Sequence, residues 1–461
     1  MTGDIKSAKA NDGESSRAGG LLKALGVWFG ISVAIGNTIA AGIVRTPGDI
    51  ARWLPDPTLF LGVWIIGGLY ALFGASSLSE LAVAIPKSGG QYNYSRKALG
   101  EYAGFVVGWS DWLSNCGTLA AVAIVVGEYT GDLIPVLDNY EKAIAFFVII
   151  FFTLLQSHGI DWGSRIQVVT ALLKTIAFMI LVSACFILGS HSGLFPQDRA
   201  SQLEAQHMAS HWLLVVALMK ALQAVFYSID GWHGVIYLGG EIKEPEKSVP
   251  RTIFISVFSV VTIYFLLNAA VLYVLPIDQI AGNNFALGLA AEKVFGALGG
   301  PVIRVIMIVS LLSCINAVLL FSSRILYGLS LDGLFFKGMA SVNEGGTPIR
   351  ALYLSIAVAF VFVLGTFEQV MAILSFFFVA NYALSYISLF VLRRREPDLK
   401  RPYLAWGYPW TTALALLFSI AFLAGALITN HEQALVAFLI LLLSYPLFLY
   451  FRKLNHCGNP Q

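Results

Sequence analysis

Charge is what this sequence has least of. Only 12% of its 461 residues are Asp, Glu, Lys or Arg, about half the share of an ordinary soluble domain. That leaves too little polar surface to coat a globule of this size. A water-soluble enzyme, a nucleic-acid binder and a disordered scaffold are therefore excluded. The net charge of +2 gives no polybasic character. Cysteine is also sparse: Cys116, Cys185, Cys314 and Cys457 lie far apart with no C-x-x-C pair, which excludes a disulfide framework and a zinc site. No H-E-x-x-H, no G-x-S-x-G and no intramembrane His/Asp cluster supports a membrane-embedded enzyme. No carbonyl-filter sequence or ring of charge supports a channel. Residues 1–20 lack the apolar stretch of a signal peptide and read as a disordered tail.

What the chain has is apolar surface: 57% hydrophobic residues and a mean hydropathy of +0.75. Ten stretches carry no Asp, Glu, Lys or Arg: 24–44, 57–79, 143–160, 175–197, 252–277, 305–323, 351–367, 369–392, 402–431 and 433–451. A helix needs roughly 17–25 apolar residues to cross a bilayer, so each is a candidate span. Two more, 102–127 and 209–240, are interrupted only by Asp111 and by Lys220 and Asp230. The expectation is an all-α integral membrane protein of twelve transmembrane helices, one domain over 21–452, with 453–461 as a tail.

Twelve spans put both termini on one side. Of the 29 Lys and Arg, only Arg45, Arg52, Lys142, Arg199, Lys293 and Arg304 then fall in loops on the other side, and Lys174 and Lys220 within spans. The rest share the side of the termini, which the positive-inside bias assigns to the cytoplasm of the cell inner membrane. Segment 87–100 is a polar cytoplasmic connector. In 241–251 the prolines stop one helix and start the next, and 277–300 forms a long external loop.

Two spans carry weak points. In the first, GNTIAAG places Gly36 and Gly42 around Asn37, Thr38, Ile39, Ala40 and Ala41. Glycine costs about 1 kcal/mol against alanine inside a helix. An unwound stretch here would present bare amides and carbonyls at mid-membrane, which is tolerated only where protein or a watery cavity covers them. Those groups can hold a carboxylate and an ammonium. Close helix packing through small residues explains the same pattern. In the sixth span Asp230-Gly231 is a second break candidate, since a central Asp costs roughly 2.5–3.5 kcal/mol on insertion. Asp230 reads first as the cap of a local break or the partner of a neighbouring donor. Two interrupted helices in the first and sixth spans fit an inverted-repeat transporter.

Three stretches together resemble the amino acid–polyamine–organocation (APC) superfamily. They are GNTIAAGIVRTPG, SELAVAIPKSGGQYNYSRKALGE (79–101) and FYSIDGWHGVIYLGGEIKEPEKSVPR (226–251). The resemblance covers nearly the whole chain and is nearest to bacterial relatives of the L-amino-acid transporters. It implies a five-plus-five inverted repeat of the leucine-transporter type (about 21–190 against 209–393), with broken helices 1 and 6 and two further helices over 405–452. It implies a carboxylate site at Ala40, Ala41 and Gly42. The ammonium would meet the carbonyls of Thr38 and Ile39, with Tyr227, Ser228 and Ile229. Ala40-Ala41-Gly42 stands where relatives often show Gly-Ser-Gly, which removes one hydroxyl donor.

Phe226, Tyr227 and Trp232 could line or gate the side-chain pocket, and Ser114, Asn115 and Cys116 of the third span could approach it or simply glue helices together. Lys174 lies too deep in the fifth span to start it. The resemblance places its ammonium where sodium-coupled relatives hold a cation, bridging span one to span eight near Ser313 and Asn316. The alternative is a lysine that snorkels to headgroups. Asp111 is expected near the cytoplasmic end of span three in a structural role. His158 and Gln167 read as satisfied polar groups. The implied function is secondary transport of amino acids across the lipid bilayer, as exchanger or proton-coupled symporter without sodium. The same-class alternative is a polyamine or amine/amino acid antiporter. No cofactor, metal or nucleic acid is implied, and the oligomeric state is left open.

Overall fold

The computed structural model describes residues 26–157, 160–189, 211–429 and 431–457. The terminal tails, His158 and Arg199 lie outside them. Each expected apolar stretch forms a helix, in the order α1 (Val27–Thr38), α2 (Ala41–Trp53), α3 (Pro57–Ala84), α4 (Tyr92–Leu99), α5 (Glu101–Leu133), α6 (Glu141–Ser157), α7 (Ile160–Leu188) and α8 (His211–Ile229). Then follow α9 (Pro245–Val274), α10 (Ile277–Ile280), α11 (Ala286–Phe295), α12 (Gly299–Leu331), α13 (Ile349–Val363), α14 (Phe367–Arg395), α15 (Trp410–Thr429) and α16 (His431–Cys457). Among the described residues nine helices are long and apolar enough to cross a membrane, and α1 with α2, bent by 42°, makes a tenth. Leu213–Ile229 and Ile349–Val363 are shorter apolar helices at the sixth and ninth expected spans. There is no strand among the described residues, only an isolated bridge between Ser88 and Leu238.

Local chemistry explains several ends. Asp56 caps α3, accepting from the N–H groups of Thr58 and Leu59 at 2.8 and 3.0 Å with Pro57 in the first turn, which fills orphan donors and pre-sets the entry angle. Thr366 and Gln369 form a capping box on α14. The 175–197 stretch is shifted: α7 already starts at Ile160 and ends at Leu188. Its first turns contain Asp161 and Arg165, which hide them from a search for uncharged runs and leave Lys174 at the helix centre.

Helices α5 and α12 form the middle, each with 72% of its most apolar window buried. Helices α6, α7, α15 and α16 form the rim, where Phe147, Leu172, Ile187, Leu417 and Leu443 are more than half exposed. Apolar residues outside with small and polar ones inside is the arrangement a lipid solvent selects.

The end that carries α4 is closed. Gly89 N–H donates to Tyr237 O at 3.0 Å and Gly240 N–H to Ser88 Oγ at 3.1 Å, tying the α3–α4 connector to the segment after α8. Below this tie Arg324 and Glu241 form a bidentate pair at 3.0 and 3.3 Å, both fully buried. Glu80 holds Arg393 and Arg401 and accepts from Ala405 N–H at 2.7 Å. Among the described residues the other end is open. A space of about 430 Å³ runs between Arg45, Trp53, Lys220, Phe367 and Phe422 down to Gly42 and Tyr227.

Candidate functional site

Helix α1 stops at Thr38 and α2 starts at Ala41, with Ile39 and Ala40 between them off helical geometry. No side chain caps α2, so its first amides, from Ala41 onward, have no partner within the helix. Helix α8 stops at Ile229. Gly231 takes φ +110°, a backbone that L residues avoid, and a short 3-10 turn over Gly234–Tyr237 follows. Asn37 Nδ2 donates to Gly231 O at 3.3 Å and joins the two breaks. The positive end of α2 and the negative end of α8 thus face one central cavity of about 40 Å³, room on the order of three waters.

Asn37, Thr38, Ala40, Gly42, Asn115, Tyr227, Ser228 and Asp230 line this cavity. Gly42 has no room for a side chain: a Cβ there would lie 2.7 Å from Ser228 Cα. Gly36, Ile39, Ala41, Ile229 and Gly231 stand behind the wall. A Cβ at Gly36 would lie 1.8 Å from Gln167 Nε2.

Several expected residues are placed differently. Phe226 is turned away, stacked on Tyr70 at 4.2 Å and near Phe422 at 5.8 Å. Helical rotation from Tyr227 points it at α3 and α15. Trp232 stacks on Tyr382 at 5.8 Å. Cys116 and Ser114 are buried off the cavity, because only every third or fourth residue of α5 (Asn115, Thr118, Val122) meets it. The Thr38 and Ile39 carbonyls are already engaged. Tyr264 donates to Thr38 O at 2.7 Å; Lys174 and Ser310 donate to Ile39 O at 3.0 and 2.6 Å.

Lys174 is fully buried and its Nζ also donates to Gly36 O at 2.9 Å. The contact it shares with α12 therefore runs through Ser310. Ser313 instead accepts from Gln167 Nε2 at 3.1 Å, and Asn316 Nδ2 donates to Gln167 Oε1 at 2.9 Å. Gln167 is thus more than a satisfied polar group: it is the node that joins α7 to α12 behind α1.

Residues that sequence reasoning missed include Thr118, Val122, His233, Tyr237, Cys314, Val318 and Phe378, all on the cavity wall. Oγ1 of Thr118 and Oγ of Ser228 are buried there with no hydrogen-bond partner among the described residues. The expectation of no intramembrane His/Asp cluster is overturned. Asp111, Asp230 and His233 meet through Tyr237 and Tyr382, although Asp111 and Tyr382 stand far in the chain from the 230–237 segment that holds the other three. Asp111 is not at a helix end but buried one turn from Asn115, whose Nδ2 donates to its carbonyl at 2.8 Å.

Comparison with known proteins places the chain in a family. A model of the amino acid permease family matches residues 21–447. The serine/threonine exchanger SteT of Bacillus subtilis is 28% identical over 94% of this chain and 98% of its own length. The Asc-type amino acid transporter 1 of Mus musculus is 28% identical over 83% of this chain and 72% of its own. The large neutral amino acids transporter small subunit 2 of Homo sapiens is 25% identical over 84% and 74%.

Proposed function

The chain belongs to the amino acid permease family of the APC superfamily, and from that premise we propose that it carries small neutral amino acids across the cytoplasmic membrane by alternating access. It acts as an exchanger or proton-coupled symporter without sodium, on a twelve-span, five-plus-five inverted-repeat frame with both termini cytoplasmic. The observation that carries this reading is the pair of helix ends facing one cavity. The α-carboxylate meets the free amides of Ala41 and Gly42 at the positive end of α2. The α-ammonium meets the last carbonyls of α8 beside Ser228 and Asp230, rather than the engaged carbonyls of Thr38 and Ile39.

The cavity is small and offers the unpaired hydroxyls of Thr118 and Ser228, which favours a short polar or small apolar side chain. Similarity to a serine/threonine exchanger and an Asc-type amino acid transporter supports the same class. Lys174 reaches from α7 to the place between α1 and α12 where a coupling cation would sit, and its ammonium stands in for that cation. A carrier of amines or polyamines is the second reading, favoured by Asp230 on the cavity wall.

The test is counterflow of radiolabelled L-serine in proteoliposomes, competed by amino acids and by amines, with and without sodium. Competition by L-alanine and L-threonine, indifferent to sodium, is expected. Competition by amines alone would transfer the assignment to the second reading.

A further inference from the structure

Transport as described leaves one buried polar chain unused. Asp230 on the cavity wall is hydrogen-bonded by the Tyr382 hydroxyl of α14. That hydroxyl lies 2.6 Å from His233 Nδ1, and His233 Nε2 lies 3.0 Å from the Tyr237 hydroxyl. Tyr237 in turn lies 2.8 Å from Asp111 Oδ1 on α5. Five titratable side chains make four contacts in series. Asp111, His233, Tyr237 and Tyr382 are each at most 3% exposed.

Every hydrogen bond holds one hydrogen between its two heavy atoms. With both aspartates ionised, Tyr382, His233 and Tyr237 supply one each, three hydrogens for four contacts. The fourth contact would then set lone pair against lone pair, and an unmade hydrogen bond in a buried site costs about 1–3 kcal/mol. We propose that this chain stores one additional proton, resting on Asp111, and exchanges it with the substrate cavity through Asp230, so that transport is linked to a proton at a place separate from Lys174.

The resting place follows from charge and partners. A proton on His233 would bury an imidazolium and two carboxylates; a proton on an aspartate buries a single charge, which is cheaper in a low-dielectric interior. Asp111 Oδ2 has no hydrogen-bond partner among the described residues, so an ionised Asp111 would leave a bare charged oxygen, whereas Asp230 opens on the cavity. Moving one hydrogen across each contact transfers the proton from Asp111 to Asp230. The other titratable groups nearby are Tyr70 of α3, Tyr386 of α14, Tyr227 of α8 and Cys314 of α12. Neither aspartate pairs with a lysine or arginine among the described residues; His233 Nδ1 stands 3.9 Å from Asp230 Oδ1. An ammonium arriving beside Asp230 favours its ionised form and holds the proton at Asp111. Its departure lets the proton return to the cavity. This link rests on the amino acid reading above; the stored proton does not.

Infrared spectroscopy of the full chain in liposomes at neutral pH tests the store, because a protonated carboxyl shows its own C=O stretch. The wild type is expected to show one such band. Asp111→Asn and Asp230→Asn each lose it, since an amide N–H supplies the fourth hydrogen. Tyr382→Phe loses it as well: two contacts vanish with one hydrogen, leaving two hydrogens for two contacts. A band due to burial alone would survive Tyr382→Phe. No band in the wild type, or one that survives Asp111→Asn or Tyr382→Phe, overturns the proposal. A second arm measures L-serine uptake under an imposed inward proton gradient. The wild type is expected to gain severalfold over counterflow at equal pH, and Asp111→Asn to lose that gain. With the band assigned and uptake indifferent to the gradient, the coupling role is overturned. If no neutral amino acid moves at all, the transport reading fails, while the infrared band still decides whether the proton is stored.

Discussion

Gly42 and Lys174 show how single residues set the site from opposite directions. Gly42 acts by having no side chain, since a Cβ would press on the Ser228 backbone at 2.7 Å. Gly42→Val is expected to weaken substrate affinity more than tenfold, about 1.4 kcal/mol, in a binding assay on purified protein. Wild-type affinity in that variant would remove α2 from the site. Lys174 acts by length, reaching from α7 to the Gly36 and Ile39 carbonyls. Lys174→Ala leaves Gly36 O without this donor, so a loss of about 1–3 kcal/mol in stability is expected, together with at least a tenfold fall in L-serine uptake. Thermal unfolding in detergent and uptake at matched protein levels measure the two effects. Unchanged uptake would leave the lysine a packing role.

Elements matter here mainly through where they end. The α1–α2 and α8 interruptions place backbone dipoles at the cavity, and Gly231 at φ +110° lets the chain leave α8 at the needed angle. The α4 end is held by the segment after α8, pinned by Ser88, Gly89 and the Arg324–Glu241 pair. Removing one partner of a buried pair strands the other charge, at a cost of about 3–5 kcal/mol. Glu241→Gln is therefore expected to loosen this end. A cysteine placed at Val318 on the cavity wall should then be labelled faster from the α4 side. Equal labelling rates in the two backgrounds would show that this pair does not hold the closure.

At the scale of the whole molecule, the described residues present one closed end and one open one. In this conformation the space of about 430 Å³ and the cavity of about 40 Å³ share Gly42 and Tyr227 as their common wall, so Tyr227 is the partition to be moved. The proposed orientation, with both termini cytoplasmic, puts Val136, 83% exposed on the turn after α5, outside, and Lys400, with its side chain 82% exposed, inside. An impermeant thiol reagent on intact cells should label Val136→Cys and spare Lys400→Cys; the reverse pattern would invert the orientation. Ser375→Cys in the vestibule should react from outside, and saturating L-serine should slow it. Unslowed reaction would separate this vestibule from the substrate's path.

The apolar stretches of the sequence by themselves determined that the chain is a many-helix membrane protein, because solvation by lipid demands long runs without charge. Gly36, Gly42 and Gly231 marked the weak points, since propensity is a local property readable from local residues. The tertiary structure alone decided which side chains face the cavity. Phe226 and Tyr227 are neighbours in sequence, yet helical rotation sends one to α3 and the other to the cavity. It alone engaged the Thr38 and Ile39 carbonyls, and it alone brought Asp111 and Tyr382 to the locally spaced Asp230, His233 and Tyr237, since contacts between distant helices leave no mark in the spacing of either one. Local preference is written along the chain; partnership between buried polar groups exists only once the helices have packed.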